Sequence, residues 1–243
     1  MLNEIFSDHF AQRSNYMTKV DARAKMLFVT AAIIIVVSSR NPYVPLIVFF
    51  LSLIFLLGVR IPTKVILLRV AAPLGIACAV LFMQIFFYGM AEGLSRGFLI
   101  MTKVLGAVSV IIFLSMTTPV NKLLNAARWF KVPDTWVEIA MLSYRYSFVL
   151  LEDAVTIRNA QKARLGYSSL ARSLRSFGEL MGSTVVRTYD RSIAVYESML
   201  LRGYNGTMKN AAREETFGIK DASAVIIFTI ILASLLVLNI LLR

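Results

Sequence analysis

Two short endings carry the residues best placed to do chemistry: Ala163-Arg164-Leu165-Gly166-Tyr167 and Leu201-Arg202-Gly203-Tyr204. Their arginines lie 38 residues apart, and each closes a stretch with helical apolar periodicity. A guanidinium at a helix tip offers a planar fork of donors that pairs bidentately with a carboxylate. The helix dipole favours a cation there by roughly 0.3–1 kcal/mol, and glycine is a common helix stop, so one such ending alone is ordinary. Two of them, both leading into Gly-Tyr, point to arginines presented to acidic pockets on another protein.

Other chemistry is sparse. The single histidine, His9, reads as a solvated tail residue, and no HExxH, CxxC or P-loop spacing is present. The chain therefore has no metal site of those kinds and does not itself hydrolyse ATP by the P-loop route. Glu152 and Asp153 are adjacent, but successive helical residues point about 100° apart, so the pair reads as a solvated face beside Arg145 and Arg158. Lys103 is the ionisable residue deepest in an apolar segment, which makes it a functional candidate. It follows Gly97 by six residues, so its stem is expected to snorkel to an interface. Cys78 sits in an apolar stretch and has no partner for a disulfide.

The elements that position these residues are written in hydropathy and charge. With 58% hydrophobic residues in 243, the chain reads as a membrane protein. Five stretches can span: Met26–Ser39, Asn41–Val59, Val70–Met90, Gly97–Met116 and Ala222–Leu242. The first is short, with 14 uncharged residues between Lys25 and Arg40, and is expected to span by snorkelling both cations. Asn41-Pro42 turns the chain into the second span. Gly89, Gly93 and Gly97 could pack helices closely, but their place around Glu92 and Arg96 favours a turn.

Cations then orient the spans. Four lie at the N-terminus (Arg13, Lys19, Arg23, Lys25), three after span two (Arg60, Lys64, Arg69) and fifteen between Thr117 and Asp221. Only Arg40, Arg96 and Arg243 fall on the other side, with Lys103 near the start of span four. The positive-inside rule places the N-terminus and the large basic domain in the cytoplasm and the C-terminus outside. It also accounts for the net charge of +12 without nucleic acid, for which no zinc-finger spacing or aromatic RNA-binding motif is present. Met1–Arg13 carries Glu4 and Asp8 and does not resemble a signal peptide.

The basic domain is helical. After Thr118-Pro119, Val120–Lys131 is a short amphipathic stretch, broken at Lys131-Val132-Pro133-Asp134. Val137, Met141, Tyr144, Phe148, Leu151 and Val155 form one apolar stripe, with Glu138, Arg145 and Glu152 largely on other faces and Gly166 as its left-handed stop. Leu170, Leu174, Phe177, Met181 and Val185 form a second stripe, continued by Val186, Tyr189, Ile193, Tyr196 and Leu200 and stopped at Gly203. These stripes must bury against each other, the membrane surface or a partner. The expected fold is all-α: a polytopic membrane protein with about five transmembrane helices. Residues 1–116 hold the N-terminal segment and four spans, 117–221 the cytoplasmic helical domain, and 222–243 the last span.

With these motifs in order, the chain resembles the transmembrane T component of energy-coupling factor transporters, the EcfT/CbiQ family. Val20-Asp21-Ala22-Arg23-Ala24-Lys25 resembles the family's D-x-R-x-K opening. Tyr144-Arg145-Tyr146, then Val149-Leu150-Leu151-Glu152-Asp153-Ala154, Gln161-Lys162-Ala163-Arg164, Arg187-Thr188-Tyr189-Asp190-Arg191 and Met199-Leu200-Leu201-Arg202-Gly203-Tyr204 follow in the family's order. The spacing is most like the CbiQ branch, which serves cobalt or nickel uptake. One departure is Leu165, where the family commonly has a small residue; glycine comes one place later.

The resemblance implies a non-catalytic subunit in a prokaryotic cell membrane. Two cytoplasmic ATPase subunits, carrying the ATP and magnesium, would dock at Ala163, Arg164, Leu201, Arg202 and Gly203. A separate membrane subunit that binds cobalt or nickel would rest on a platform including Tyr144, Phe148, Phe177, Met181, Tyr189 and Tyr196. The chain itself would bind no metal and no cofactor. A T component serving a vitamin substrate is the nearest alternative. A lipid- or prenyl-directed membrane enzyme using Glu152 and Asp153, or a channel lined by Lys103, lie further off.

Overall fold

A computed structural model of the chain describes residues 20–58, 63–206 and 219–241. His9, Arg13, Lys19, Arg60 and the polar Lys209–Glu215 segment lie outside the described residues, as does the N-terminal stretch compared above with a signal peptide. Among the described residues every regular element is an α-helix: α1 (Ala22–Ser38), α2 (Tyr43–Gly58), α3 (Thr63–Thr117), α4 (Val120–Trp129), α5 (Asp134–Ala163), α6 (Leu170–Leu201) and α7 (Ile219–Leu241). The protein is an all-α membrane protein. Its chain divides into two compact units, one within residues 1–126 and 214–243, the other Ala127–Arg213.

In the first unit α3 is two helices joined at Gly89, whose φ of 79° and ψ of 173° are open to glycine and costly for other residues. The arms, Thr63–Met90 and Glu92–Thr117, are each long and apolar enough to cross a bilayer; α2 and Val225–Asn239 are shorter apolar helices. The glycine series serves both purposes considered above. Gly89 makes the turn, while a Cβ on Gly93 would lie 2.5 Å from the Gln84 carbonyl oxygen and one on Gly97 3.3 Å from the Leu81 Cα. The two arms thus close against each other where side chains are absent. The first arm begins at Thr63, earlier than the expected Val70, because Lys64 and Arg69 extend the helix rather than forming a loop.

The shortest expected span is the most enclosed. Phe28, Val29, Ala32 and Val36 of α1 bury against Val44 and Val48 of α2, Val110 of α3, and Phe228 and Leu235 of α7. The Phe28 and Phe228 rings stack at 4.4 Å. By contrast Leu67, Leu68, Phe82, Phe86 and Phe87 on the first arm of α3 face outward, as a hydrocarbon-facing surface requires.

One expectation about the lysines is corrected here. Lys25 does not snorkel: it is 0% exposed, and its Nζ donates to the Thr117 carbonyl at 3.1 Å and to Thr118 Oγ1 at 3.3 Å. Lys103 Nζ donates to the Val37 carbonyl at 2.9 Å, at the end of the first span. In each case a helix end supplies the acceptor, because the last carbonyls of a helix have no intrahelical donor.

Candidate functional site

The second unit is built on the hairpin of α5 and α6. Arg128, at the end of α4, pairs with Asp134 Oδ1 at 3.2 Å and with the buried Glu138 at 3.8 Å, which fixes the start of α5. Glu138 is therefore an inward residue although it lies off the apolar stripe. Lys131 takes the left-handed conformation (φ 62°) in the break before Pro133.

Both arginine endings have one geometry. Arg164 caps α5 with φ −90° and ψ 15°; Arg202 caps α6 with φ −91° and ψ 9°. The residue after each arginine is left-handed, Leu165 at φ 58° and Gly203 at φ 82°. The Gly166 N–H donates to the Gln161 carbonyl at 2.9 Å and the Tyr204 N–H to the Met199 carbonyl at 3.0 Å, the six-to-one bond that closes a Schellman turn. The helix ends therefore superpose arginine on arginine and Leu165 on Gly203. Glycine does not make the first stop, as its sequence position suggested; Leu165 does, at a cost of about 1 kcal/mol.

Gly166 is needed for space instead. A Cβ there would meet Ser176 Oγ at 2.6 Å and the Gln161 carbonyl oxygen at 2.9 Å. Around it runs a polar knot: Ser176 Oγ donates to the Gly166 carbonyl at 3.0 Å, Gln161 Nε2 to the Ser176 carbonyl at 2.8 Å, and Tyr167 Oη to Gln161 Oε1 at 2.8 Å. Ser169 caps α6, accepting from the Arg172 N–H at 3.4 Å. The knot fixes the α5 end, and with it Arg164, against α6. Gln161 and Tyr167 stand in the sequence motifs without a role of their own, and Ser176 in none, because no motif marks a side chain whose role is to hold a turn.

Ala163, Arg164, Leu201, Arg202 and Gly203 are all exposed, and Leu201 at 90% stands fully clear of the fold. Among the described residues neither the Arg164 nor the Arg202 guanidinium makes a hydrogen bond or ion pair; only their backbone N–H groups bond, inside the helix ends. Two guanidiniums are thus held at ordered helix tips with their donors free.

The two apolar stripes are placed differently: most of the α5 stripe is at least partly covered, while that of α6 faces out. The face of α6 turned inward carries Ser173, Ser176, Leu180, Thr184, Thr188, Arg191, Val195 and Met199. The long apolar stripe, including Phe177, Met181, Tyr189 and Tyr196, is exposed. Small and hydroxyl residues let α6 approach α5; Ser176 bonds the turn at Gly166, while Thr184 and Thr188 bond their own helix, Thr184 Oγ1 to the Leu180 carbonyl at 2.7 Å. Arg191 pairs with Asp153 of α5 at 3.2 Å, so Asp153 is a crossing residue and not part of a solvated pair with Glu152. Tyr144 and Phe148 pack edge to face at 5.1 Å and are partly covered. Beyond Arg191 the helices enclose an open groove of about 460 Å³, lined by Leu142, Tyr146, Leu150, Val195, Tyr196 and Met199 among others. Of the six platform residues, only Tyr196 lines it.

Residues 13–212 match the family described as CbiQ, cobalt transport protein. The chain belongs to the CbiQ family. An uncharacterised protein of Methanocaldococcus jannaschii is 32% identical over 90% of this chain and 88% of its own length. A putative fused cobalt transport protein CbiMQ of Methanocorpusculum labreanum is 29% identical over 93% of this chain and 41% of its own. The energy-coupling factor transporter transmembrane protein EcfT of Streptococcus thermophilus is 24% identical over 85% of this chain and 87% of its own. The CbiQ match covers the whole α5–α6 hairpin with both arginine ends and ends just beyond it. The chain is accordingly a membrane transport protein of the EcfT/CbiQ type.

Proposed function

We propose that this CbiQ-family chain is the coupling subunit of an ATP-driven importer for cobalt or nickel. Arg164 and Arg202 each enter an acidic groove on one of two cytoplasmic ATPase subunits. The exposed apolar face of α6, with the groove beside Tyr146 and Tyr196, receives a separate membrane subunit that binds the ion. Closure of the ATPase pair moves the two helix tips, and the movement passes through the hairpin to that subunit. The chain spans the prokaryotic cell membrane several times, with its N-terminus and the Ala127–Arg213 unit in the cytoplasm.

The observation that carries this reading is the pair of matched helix ends. Each holds an exposed arginine with no described partner, and the two share a backbone geometry despite different residues in the left-handed position. A stabilising cation alone would need no such match; two equivalent docking partners would. The cation distribution supports the orientation. The fused CbiMQ relative, of which this chain covers 41%, supports a tight association with a second polypeptide. The EcfT relative supports a shared coupling machine whose cargo is chosen elsewhere.

The test is a mild-detergent pull-down of the chain from its native membranes. Co-purification of a P-loop ATPase and a histidine-containing membrane subunit is the expected result. A vitamin-binding subunit in its place would keep the coupling role and overturn the metal cargo. Recovery without any ATPase, with nucleotide supplied, would refute the proposal.

A further inference from the structure

Lys25 and Lys103 answer each other. Lys25 stands in the first turn of α1 and donates to the end of the second arm of α3, at the Thr117 carbonyl and Thr118 Oγ1. Lys103 stands in the first half of that arm and donates to the end of α1, at the Val37 carbonyl. The helices run antiparallel, so the two bonds form rungs at opposite ends. They are separated by 12 residues along α1 and 14 along α3, or roughly 18–21 Å at 1.5 Å per residue. Between them lies close packing, with Val110 of α3 buried among Val29, Ala32 and Val36 of α1.

Each rung joins a cation to the negative end of its partner helix, where unpaired carbonyls and the helix dipole both favour it. The inner rung is the stronger constraint. A fully buried ammonium must keep its acceptors, since an uncompensated buried charge is heavily penalised. Its acceptors occupy a fixed place because Pro119 ends the helix: proline has no N–H and disfavours helix at Thr118. Asp21, also buried, caps α1 just before the lysine by accepting from the Arg23 N–H at 2.9 Å. The chain leaves this clamped point at Pro119 and enters α4.

We propose that Lys25 and Lys103 are reciprocal end clamps that make α1 and the second arm of α3 one stiff antiparallel strut. Lys25 is the positioning residue that anchors the chain where it departs for the arginine-tipped hairpin. The strut stops force applied at the hairpin from being lost as sliding between the two helices. This last role rests on the coupling function proposed above.

The experiment uses the full transporter, with its ATPases and substrate-binding subunit, in proteoliposomes. Two readouts are taken on wild type, Lys25→Met and Thr118→Val. The first is the distance distribution between spin labels at Leu27 and Ile111, both exposed, in a Cys78→Ser background. Wild type is expected to give one narrow peak, Lys25→Met a broad one and Thr118→Val an intermediate one. An unchanged width in Lys25→Met would overturn the clamp. The second readout is cobalt ion uptake per ATP hydrolysed, with the amount of bound ATPase measured alongside. Lys25→Met is expected to lower that ratio several-fold with the ATPases still bound, a split that mere loss of folded protein does not produce. A broadened distance with an unchanged ratio would overturn the positioning role. Failure of the wild-type chain to retain ATPases would instead strike the coupling function, and the distance readout would still judge the clamp.

Discussion

Replacing Gly166 by alanine separates two glycines that look equivalent in sequence. A Cβ at 166 would lie 2.6 Å from Ser176 Oγ and 2.9 Å from the Gln161 carbonyl oxygen. The serine hydroxyl can rotate away, but only by giving up its bond to the Gly166 carbonyl, at about 0.5–1.5 kcal/mol. The Gln161 carbonyl belongs to the helix and cannot yield, so the turn must move, at about 1–3 kcal/mol for overpacking. Together the loss is roughly 2–4 kcal/mol, or about 5–15 °C in Tm for a chain of this length. At Gly203 nothing lies within 4 Å of an added Cβ, and only the positive φ resists. Gly203→Ala should therefore cost about 1–2 kcal/mol. Thermal scans of both variants in detergent decide the matter. A loss for Gly166→Ala no larger than that for Gly203→Ala would refute the claim that the knot at the α5 end is closely packed.

Leu165→Gly should relieve the left-handed strain and raise stability by up to about 1 kcal/mol, a gain of roughly 2–4 °C on the same scan; a lower Tm would mean that Leu165 packs on something essential. Replacing Phe177 and Tyr189 by serine should change Tm by little, since both are exposed, within about 0.5 kcal/mol each. The same double variant should lose the substrate-binding subunit in a pull-down, and its full retention would count against the α6 face as the platform.

Much of the membrane unit was legible because hydrocarbon solvent leaves few solutions. Runs of apolar residues must be helical, and glycines in series mark where helices turn or touch. What could not be read was the inward or outward sense of single residues. Lys25 satisfies its charge on a helix end that is 92 residues away in sequence, and no local pattern announces that partner. In the hairpin the apolar stripe of α6 left three ways to be buried, against α5, the membrane surface or a partner, and the structure turns it away from α5. Half of the inward face of α6 is serine and threonine at helical spacing (Ser173, Ser176, Thr184, Thr188), which polarity alone assigns to solvent. Exposed Phe177 and Tyr189 make sense for a surface awaiting a partner, and hydropathy does not distinguish that from a core. The helix ends were located by their arginines, but Leu165 shows that the residue in the left-handed position follows from the bonds of the turn and not from the nearest glycine.

The central claim is that Arg164 and Arg202 are equivalent docking points. It is tested most directly by titrating the co-purified ATPase onto the chain in nanodiscs, comparing wild type with Arg164→Ala, Arg202→Ala and the double variant. Loss of one partner of a buried charge pair costs about 2–5 kcal/mol, so each single substitution should weaken binding at its own site roughly 30-fold or more and leave the other site unchanged. The double variant should show no saturable binding. Wild-type affinity in the double variant would contradict the account.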